Sequence, residues 1–457
     1  MTFPAQAMQI LVELQVGDGG TWVDVTEDLR MSSGVDITRG RQDEASEVNP
    51  GKCTLVLNNR HGKYSEFNPD GPYYGRLTKN TPLRVSVAPF GDGVYYPRFA
   101  GEVSKWPPRW DISDTDVWVP IEAAGILRRI RANTEFPISS HQRFIQSNSP
   151  YTYWPMTEGE DAIEASPVFG VSKMRSISDS GALFSRQPQW GKGEIAPWME
   201  NVVAFPQEHH MVASFPVTPD ETAWSFEWVQ TGFPPDDSST FVIRPGDNES
   251  GRTIEITAQF VVESDILFVS DTGTFVGSPF IEGNITKMRG PGPHLVRVEF
   301  IPTATSYIGN AYLNGELIYT GVPETDVPLF APAGMRYISS LVDPDFPEPD
   351  NTLYVGHVVV YGPDAPDPMD SYRALVGYKG ELAGRRIERL CSERGVPLEV
   401  VGDLDQTQAC GHQQVETFAE LLQSAADVDG GTLGESTEDL ALLYRTQRSK
   451  YNQGSVL

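Results

Sequence analysis

Short stretches of the first 135 residues alternate between hydrophobic and polar positions, which is the pattern of half-buried β-strands. A Gly-rich turn after residue 16 separates the first stretch from the next and predicts a hairpin. The alternating stretches lie at 10–16, 22–25, 53–57, 83–87, 98–105 and 117–123. Residues 1–135 are therefore predicted to form an all-β domain, in which 125–132 is the candidate for a short helix.

The middle of the chain, 151–366, shows the same alternation with more turns between the strands. Trp224 and Trp228 share one face of a strand, so we expect both in a core. Asn314-Gly315 joins two strands, and both residues of such a turn need positive φ, which predicts a tight hairpin. Many short strands separated by turns predict an antiparallel β-sandwich.

After residue 366 the pattern changes to a helical period. Asp367 is a good N-cap and Pro368 suits the first helical position, so a helix is predicted from there to about 376. Gly395 is placed to end a second helix in the left-handed conformation. The further elements predicted are helices over 381–394 and 414–427 and a hairpin over 434–448. Residues 367–457 thus form an α+β segment, and 136–150 is predicted to be a connector.

Charge separates the middle of the chain from its two ends. The formal net charge of the protein is −27, and residues 146–366 hold 29 of its Asp and Glu but only 10 of its Lys and Arg. A step in composition of this kind indicates a separate module. It also argues against nucleic acid as a partner, because phosphate binding needs clustered Lys and Arg.

The sequence predicts neither export nor membrane insertion. Its start has no basic segment followed by a small-residue cleavage site, and no stretch approaches the roughly 18 apolar residues of a membrane span. Cys53, Cys391 and Cys410 have no CxxC spacing, so we interpret them as free thiols, with Cys53 and Cys391 in cores. A chain of this kind that acts outside the cell fits release by lysis.

Motifs of common enzyme classes are missing from the sequence. There is no HExxH, GxSxG, Walker loop or GxGxxG. His209 and His210 are adjacent, and neighbours on a strand face opposite ways, which does not suit one shared metal. Glu227 and Glu255 could be imagined as a glycosidase pair, which needs carboxyl groups about 5–10 Å apart, but both lie at outward positions of their strands. We expect the protein not to be an enzyme.

Two kinds of binding site are suggested by residue type. Trp190 and Trp198, in QWGKGEIAPW, and Tyr307, in a turn, are candidates for an exposed platform that stacks on sugar rings, with ordinary core positions as the alternative. Oxygen ligands suitable for calcium come from acidic loops, although no EF-hand spacing is present and solvated charge is the alternative. The calcium candidates are Asp236, Asp237 and Asp247, with the loop 343–350. No other cofactor is expected.

Both ends of the chain resemble one family. The segment 38–87 contains RGR, a strand ending in Asn-Asn, NPDGPYYGRL and TPLRV, and in this it resembles the N-terminal region of minor tail proteins of actinobacteriophages. The segment GELAGRRIERLCSERGVP at 380–397, with the sequence after it, resembles the same proteins. The resemblance implies a tail-tip hub or baseplate domain. Family members usually continue beyond the RxxxxYN segment, so the hub part is short here or its remainder lies on another chain.

The middle of the chain resembles a laminin-G-like jelly roll of the concanavalin type. The segments that carry this resemblance are Trp224–Trp228, His294–Phe300, Tyr312–Tyr319 and Tyr354–Tyr361. It implies two packed antiparallel sheets and, in many members, glycan or protein binding at a sheet face or loop rim. The expected fold is therefore mainly β, with a hub-like β-domain, an inserted β-sandwich, and a C-terminal α+β segment that completes the hub.

These resemblances together imply a structural protein of a phage tail tip that presents a lectin-like domain. The expected partners are further copies of the chain, with a trimer favoured, other tail proteins, and host-surface polysaccharide. The expected location is the virion, after assembly in the cytoplasm of the host bacterium. Two alternatives stay open: a tail-associated glycoside hydrolase that degrades wall or capsular glycan, and a purely structural tail protein whose jelly roll binds nothing.

Overall fold

A computed structural model describes most of the chain. The described residues are 8–40, 48–90, 92–112, 115–132, 136–177, 188–205, 209–215, 222–231, 237–245, 252–261, 264–272, 279–289, 292–323, 326–341 and 353–451. Strands outnumber helices in the N-terminal and middle parts of the sequence, and the prediction of a mainly β protein is confirmed.

The N-terminal part consists of strands and one short helix. The strands are β1 (Gln9–Leu14), β2 (Val23–Asp24), β3 (Asp36–Gly40), β4 (Asn49–Asn58), β5 (Thr81–Ala88), β6 (Tyr96–Val103), β7 (Arg109–Trp110) and β8 (Val117–Ala124), and the helix is α1 (Leu127–Ala132). The helix lies within the predicted range 125–132, and β1 pairs with β2 in the predicted hairpin.

The middle part begins and ends with a helix. These are α2 (Ser140–Ser147) and α3 (Pro368–Leu375). The strands between them are β9 (Thr152–Trp154), β10 (Glu164–Ala165), β11 (Met174–Ile177), β12 (Gln189–Gly193), β13 (Val202–Phe205), β14 (His209–Ser214), β15 (Trp224–Gln230), β16 (Asp237–Pro245), β17 (Ile254–Val261), β18 (Ser264–Asp271), β19 (Ile281–Asn284), β20 (His294–Pro302), β21 (Tyr307–Leu313), β22 (Glu316–Gly321), β23 (Pro332–Leu341) and β24 (Leu353–Tyr361).

The C-terminal part alternates helices and short strands. In chain order its elements are α4 (Ala383–Glu393), β25 (Leu398–Val401), α5 (Phe418–Asp429), β26 (Thr432–Glu435), β27 (Leu442–Arg445) and α6 (Gln447–Tyr451). β26 and β27 form the predicted hairpin, and β25 pairs with β27 in parallel, which the sequence did not indicate. No helix in the described ranges combines the length and hydropathy needed to cross a membrane.

The chain folds into two compact units, and the first is built from both of its ends. Unit 1 contains residues 1–136, 380–410 and 417–457, and unit 2 contains 137–379 and 411–416. This division differs from the predicted boundaries at three places, one of which is the assignment of 411–416 to unit 2. The predicted connector contains α2, and α3, which we assigned to the C-terminal segment, also belongs to unit 2.

Unit 1 has two hydrophobic cores. A sheet in the order β2-β1-β5-β6-β8-β4-β3, with β7 on β8, packs around the first core, in which Cys53 is fully buried. In the second core, Ile126 and Ile130 from the N-terminal part pack with α4, which contains Cys391, with α5, and with Cys410 between the two helices. All three thiols are free and buried, and burial raises the pKa of Cys53 and Cys391 to about 12.

One carboxylate connects the distant parts of unit 1. Glu435 Oε2 accepts a hydrogen bond from the backbone N–H of Gly51 at 2.6 Å, and its Oε1 accepts one from that of Leu127 at 2.8 Å. Buried N–H groups need such partners, because an unsatisfied one costs about 1–3 kcal/mol. The second of these bonds supplies an acceptor at the start of α1, where helix N–H groups have no partner within the helix.

Unit 2 is an antiparallel β-sandwich of the jelly-roll class. One sheet, the covered sheet, has the order β12-β13-β24-β15-β20-β21-β22 with β9 on β24. The other, the open sheet, has the order β10-β11-β14-β23-β16-β17-β18-β19. Trp224 and Trp228 lie in the core between the sheets, as predicted, with exposures of 2% and 0%.

Local sequence signals explain several of the turns and helix ends. Asn314 and Gly315 have φ values of 54° and 81° between β21 and β22, which confirms the predicted hairpin. Asp367 caps α3 by accepting a hydrogen bond from the N–H of Met369 at 2.7 Å. Gly395 follows α4 with a φ of 61°, as expected for its left-handed end. Helix α5 begins later than predicted, because Thr417 and Glu420 form a capping box.

Candidate functional site

Alternation along the strands divides the residues of each sheet into a core face and an outer face. On the covered sheet, α2 and α3 lie over the outer face. Leu375 of α3 packs with Val229 and Leu295, and Ile145 of α2 packs with Val359 and Tyr361. The covered sheet therefore has a second hydrophobic layer outside the sandwich, which leaves little of its outer face for a ligand.

A buried ion pair lies under α3. The guanidinium of Arg297 on β20 donates to Glu227 on β15, with Nε 2.7 Å from Oε2, and both side chains are 0% exposed. Ser371 Oγ of α3 donates to the other oxygen of Glu227 at 2.8 Å. The guanidinium also donates to the carbonyl of Pro366 and lies 5.3 Å from the ring centre of Tyr361. Protein atoms therefore surround the ion pair, and neither side chain is exposed to solvent.

This pair corrects the sequence-based interpretation of Glu227. Glu227 points away from the sandwich core, as expected. It is nevertheless buried, because α3 lies over it and excludes solvent. Glu255 lies on β17 of the open sheet, so the two carboxylates belong to different sheets. A cleft with Glu227 and Glu255 on opposite walls does not form, since the sandwich core separates the outer faces of the two sheets.

Two buried histidines lie close together in unit 2. The rings of His141 on α2 and His357 on β24 are 5.0 Å apart, edge to face, and Tyr153 Oη lies 2.8 Å from His357 Nδ1. Burial lowers the pKa of His141 to about 3 and holds the pKa of His357 well below its usual value. Both imidazoles are therefore neutral at physiological pH, and both are inaccessible to a ligand.

The open sheet is different, because its outer face carries a groove. The groove encloses about 850 Å³ and lies over β11, β14 and β23 beside the end of β16. Its lining residues are Val171, Ser172, Lys173, Arg175, Val212, Ala213, Ser214, Arg244, Pro245, Ala333, Gly334 and Met335. A concave surface with apolar patches and a few polar groups is the usual form of a site for a small molecule or a chain of sugars.

The strand register places the polar side chains of the groove. Ser214 and Arg244 are the cross-strand neighbours of Gly334 on either side, so a residue without a side chain lies between them. Arg175 is the neighbour of Val212, further across the same face. The groove thus has a floor of small and apolar residues, with cations at both sides.

None of these groove residues was predicted from the sequence as part of a site. Lys173 and Arg175 lie about seventy positions before Arg244, and only the sheet order β11-β14-β23-β16 brings them to one surface. The one sequence signal that points to these cations is the scarcity of basic residues around them, because residues 146–366 contain just ten Lys and Arg. Three of those ten line one groove.

The predicted aromatic platform does not form. Trp190 is 4% exposed and lies in the sandwich core, and Tyr307 is fully buried, with its Oη donating to Asp271 Oδ2 at 2.7 Å. Trp198 is partly buried under His412, whose ring stacks on the indole with centroids 3.6 Å apart. Its Nε1 donates to the carbonyl of Leu375 at 3.0 Å. The three rings therefore pack within the protein and do not form a flat surface on which sugars could stack.

The calcium candidates mostly lie outside the described residues. Asp236, Asp247 and the loop 343–350 are outside them, and Asp237 is described only as backbone in β16. Among the described residues, no group of three or more His, Cys, Asp and Glu is arranged to hold a metal ion. Of the adjacent histidines, His210 lies against the guanidinium of Arg336.

Comparison with known proteins gives no family. No family model matches the sequence, and no curated protein matches it. Among solved structures, an alginate lyase Aly36B mutant in complex with an alginate trisaccharide is 8% identical, with a TM-score of 0.26, over 35% of this chain and 81% of that one. The binding domain of botulinum neurotoxin serotype D is 10% identical, with a TM-score of 0.31, over 51% of this chain and 53% of that one.

A further solved structure is of botulinum neurotoxin type C, whose cell entry depends on interaction with two ganglioside molecules. It is 9% identical, with a TM-score of 0.33, over 52% of this chain and 54% of that one. The chain thus spans about half the length of these neurotoxin structures. Similarity this low assigns neither ligand nor activity, so the function of the chain is inferred from its own geometry.

Proposed function

We propose that this chain is a non-catalytic component of a phage tail tip whose sandwich binds host-surface polysaccharide in the groove of the open sheet. The observation that carries the binding part is the groove itself, a cavity of about 850 Å³ on the outer face of one sheet. The centre of the outer face of the other sheet, at β15, β20 and β24, is covered by α2 and α3. One face of unit 2 is therefore free for a ligand that is long and extended.

The tail-tip part of the proposal rests on the sequence of unit 1. The segment that resembles minor tail proteins covers β4, β5 and the residues between them, which contribute Tyr64 and Tyr73 to the first core. The second segment with this resemblance contains α4, whose Ile387 and Leu390 lie in the other core. Both motifs thus belong to one unit, with the sandwich between them in the sequence. Such an arrangement suits a scaffold that displays an insert.

On this proposal, unit 1 associates with further copies of the chain and with other tail proteins. A closed ring is the usual outcome for identical subunits, and a trimer is the favoured number. Assembly takes place in the cytoplasm of the host bacterium, and the finished protein is in the virion. Several weak glycan sites on one tail tip then act together, because each bound site raises the effective concentration of the next.

Binding is favoured over catalysis by the chemistry of the groove. Its described lining includes no Asp, Glu or His. Glycoside hydrolysis usually needs two carboxyl groups on either side of the scissile bond. Glu227, the carboxylate considered from the sequence, is held by Arg297 and Ser371 under α3. The described lining of the groove thus supports binding of a glycan more than its cleavage.

The binding part is tested by blocking the groove. Ser214 is exposed in the groove and its backbone N–H, not its side chain, makes its hydrogen bond to Ser172 Oγ. Ser214→Trp should fill the space beside Gly334 and abolish binding of polysaccharide extracted from host cell walls, measured by isothermal titration calorimetry with the full chain. Ser147→Trp is the control, because Ser147 is exposed at the end of α2 on the other side of the sandwich.

Three results would oppose the proposal in different ways. Equal binding by the two Trp variants would place the glycan elsewhere on the chain. No binding of any wall or capsular polysaccharide would favour a purely structural protein. Release of new reducing ends during incubation would favour a hydrolase. The tail-tip part is tested separately by searching purified virions for this chain with mass spectrometry, and its absence from them would refute that part alone.

A further inference from the structure

The groove concentrates positive charge in the most acidic part of the protein. Lys173, Arg175 and Arg244 line it, although residues 146–366 hold 29 Asp and Glu against ten Lys and Arg. We propose that the groove selects a glycan that carries anionic groups, either carboxylates or phosphates, and binds several of its sugars at once. This inference rests on the proposed function, since it names the class of glycan bound at the same site.

Among the described residues, the cations of the groove are only partly neutralised by their neighbours. One carboxylate, Glu164, pairs with both Lys173 and Arg175, and its oxygen is 3.3 Å from Arg175 Nε. The hydrogen bond from Lys173 lowers the pKa of Glu164, which keeps that carboxylate charged. Arg244 is exposed, and no ion pair joins it to another residue of the described ranges. Within the described ranges, one negative charge thus faces three positive charges, which leaves a net positive groove for a ligand.

The separation of the cations determines the size of the ligand. Arg175 is on β11 and Arg244 is on β16, with β14 and β23 between them. Three strand spacings of about 4.8 Å place their backbones roughly 14 Å apart across the sheet. A floor of this width has room for more than one sugar, so we expect the ligand that uses both sides to be an oligosaccharide with repeated charges.

The floor between the cations suits sugar rings. Val212, Ala333 and Pro245 supply apolar surface, and the neighbours Ser214 and Gly334 leave room above the strands. No described lining residue is a carboxylate that would repel the ligand. Arginine binds carboxylate and phosphate groups with two parallel hydrogen bonds, which adds direction to the attraction of charge.

The inference is tested with one polymer in charged and neutral forms. Polygalacturonate oligosaccharides and their methyl esters have the same backbone, and poly(glycerol phosphate) supplies phosphate in place of carboxylate. We expect the full chain to bind at least one of the charged polymers about tenfold more tightly than the methyl ester, by calorimetry at one fixed salt concentration. The preferred charged polymer identifies whether the anion is a carboxylate or a phosphate.

Substitution of Arg244 localises the effect. Arg244→Ala should weaken binding of the charged polymer about fivefold to tenfold, Arg244→Glu should weaken it further, and neither should change binding of the ester. Arg373→Ala is the matched control, because Arg373 is an exposed arginine on α3, beside the covered sheet, with one ion-pair partner, Asp370. Circular dichroism of each variant checks that the fold is retained.

If neither charged polymer bound more tightly than the methyl ester, this inference would be overturned, and so would unchanged binding of the preferred charged polymer by Arg244→Glu. If Ser214→Trp still abolished binding in either case, the glycan site would stand and only its selectivity for charge would be refuted. If the wild-type chain bound none of the charged polymers, the inference would also be refuted. The host-wall assay would then decide the proposed function independently.

Discussion

The outer faces of the two sandwich sheets show the same alternation in sequence, but in the structure helices cover one face and the other carries an exposed groove. On both sheets, charged residues occupy the positions that point away from the core. Glu227 and Arg297 on the covered sheet are fully buried beneath α3, whereas Arg244 on the open sheet is exposed at a groove. Alternation therefore identifies which residues leave the core, but it does not tell whether another element lies over them.

The difference between the faces comes from two helices outside the sandwich strands. Ser140 Oγ of α2 donates to the carbonyl of Ala374 on α3 at 2.7 Å, which joins the two helices over the covered sheet. Once they lie there, every polar group beneath them needs a partner within the protein, because burial without one costs free energy. The groups of the open sheet keep water as a partner until a ligand replaces it.

The largest expected effect is a difference in the free energy of unfolding between substitutions on the two faces. Glu227→Ala leaves the guanidinium of Arg297 buried without its carboxylate, which should lower the free energy of unfolding by about 3–5 kcal/mol. Glu255→Ala, on the outer face of the open sheet, should change it by less than about 0.5 kcal/mol. Urea denaturation of both variants, followed by tryptophan fluorescence, measures the difference. Similar losses in the two variants would contradict the contrast between a covered and an open face.

A smaller effect concerns pH. The pKa of His141 is lowered to about 3 in the folded chain, so below about pH 6.5 the unfolded chain binds protons that the folded chain does not. The contribution of neutral His141 to the free energy of unfolding is therefore fully present above about pH 6.5 and decreases as the pH falls towards 3. The loss from His141 alone is about 2 kcal/mol at pH 5. Urea midpoints at pH 7.5, 6 and 5 measure this loss.

The control for the pH effect is a variant without the titrating group. His141→Phe keeps a ring beside His357 and should reduce the loss of stability between pH 7.5 and 5. His61→Gln, which removes an exposed histidine of unit 1, is the matched control variant. A variant His141→Phe whose stability falls as steeply as that of the wild type would show that His141 is not responsible.

The smallest expected effect is on the open sheet. Arg244→Ala should leave the free energy of unfolding within about 0.5 kcal/mol of the wild type, because an exposed side chain contributes little to folding. A residue that serves binding can thus be substituted without lowering the free energy of unfolding. A loss of several kcal/mol in urea denaturation would mean that Arg244 has a structural role and would remove the main difference between the two faces.

Local chemistry made part of the fold predictable. Asn314-Gly315, Asp367-Pro368 and Gly395 each need only their own backbone conformation, and all three occur where the sequence predicted them. Trp224 and Trp228 were predictable because a strand's period of two places both on one face. In each of these cases the information lies within a few residues of the feature.

The rest depended on contacts between residues far apart in the sequence. Trp190 and Trp198 lie in a stretch rich in Gly and Pro, which suggested exposure, but the strands and the segment 411–416 pack against them. Tyr307 was assigned to an exposed turn, and the carboxylate of Asp271, 36 positions away, holds it in the interior. The groove likewise depends on the order of strands in a sheet, which no short segment specifies.

The position of Glu435 has a consequence for biosynthesis. Its two backbone partners, Gly51 and Leu127, leave the ribosome some three hundred residues earlier, before the whole sandwich has been translated. The bonds to Glu435 and the second core of unit 1 must therefore wait for the C-terminal segment, while unit 2 can complete most of its own hydrogen bonds on the way. During synthesis the inserted module is free to fold first, and the domain that surrounds it in sequence is the last to close.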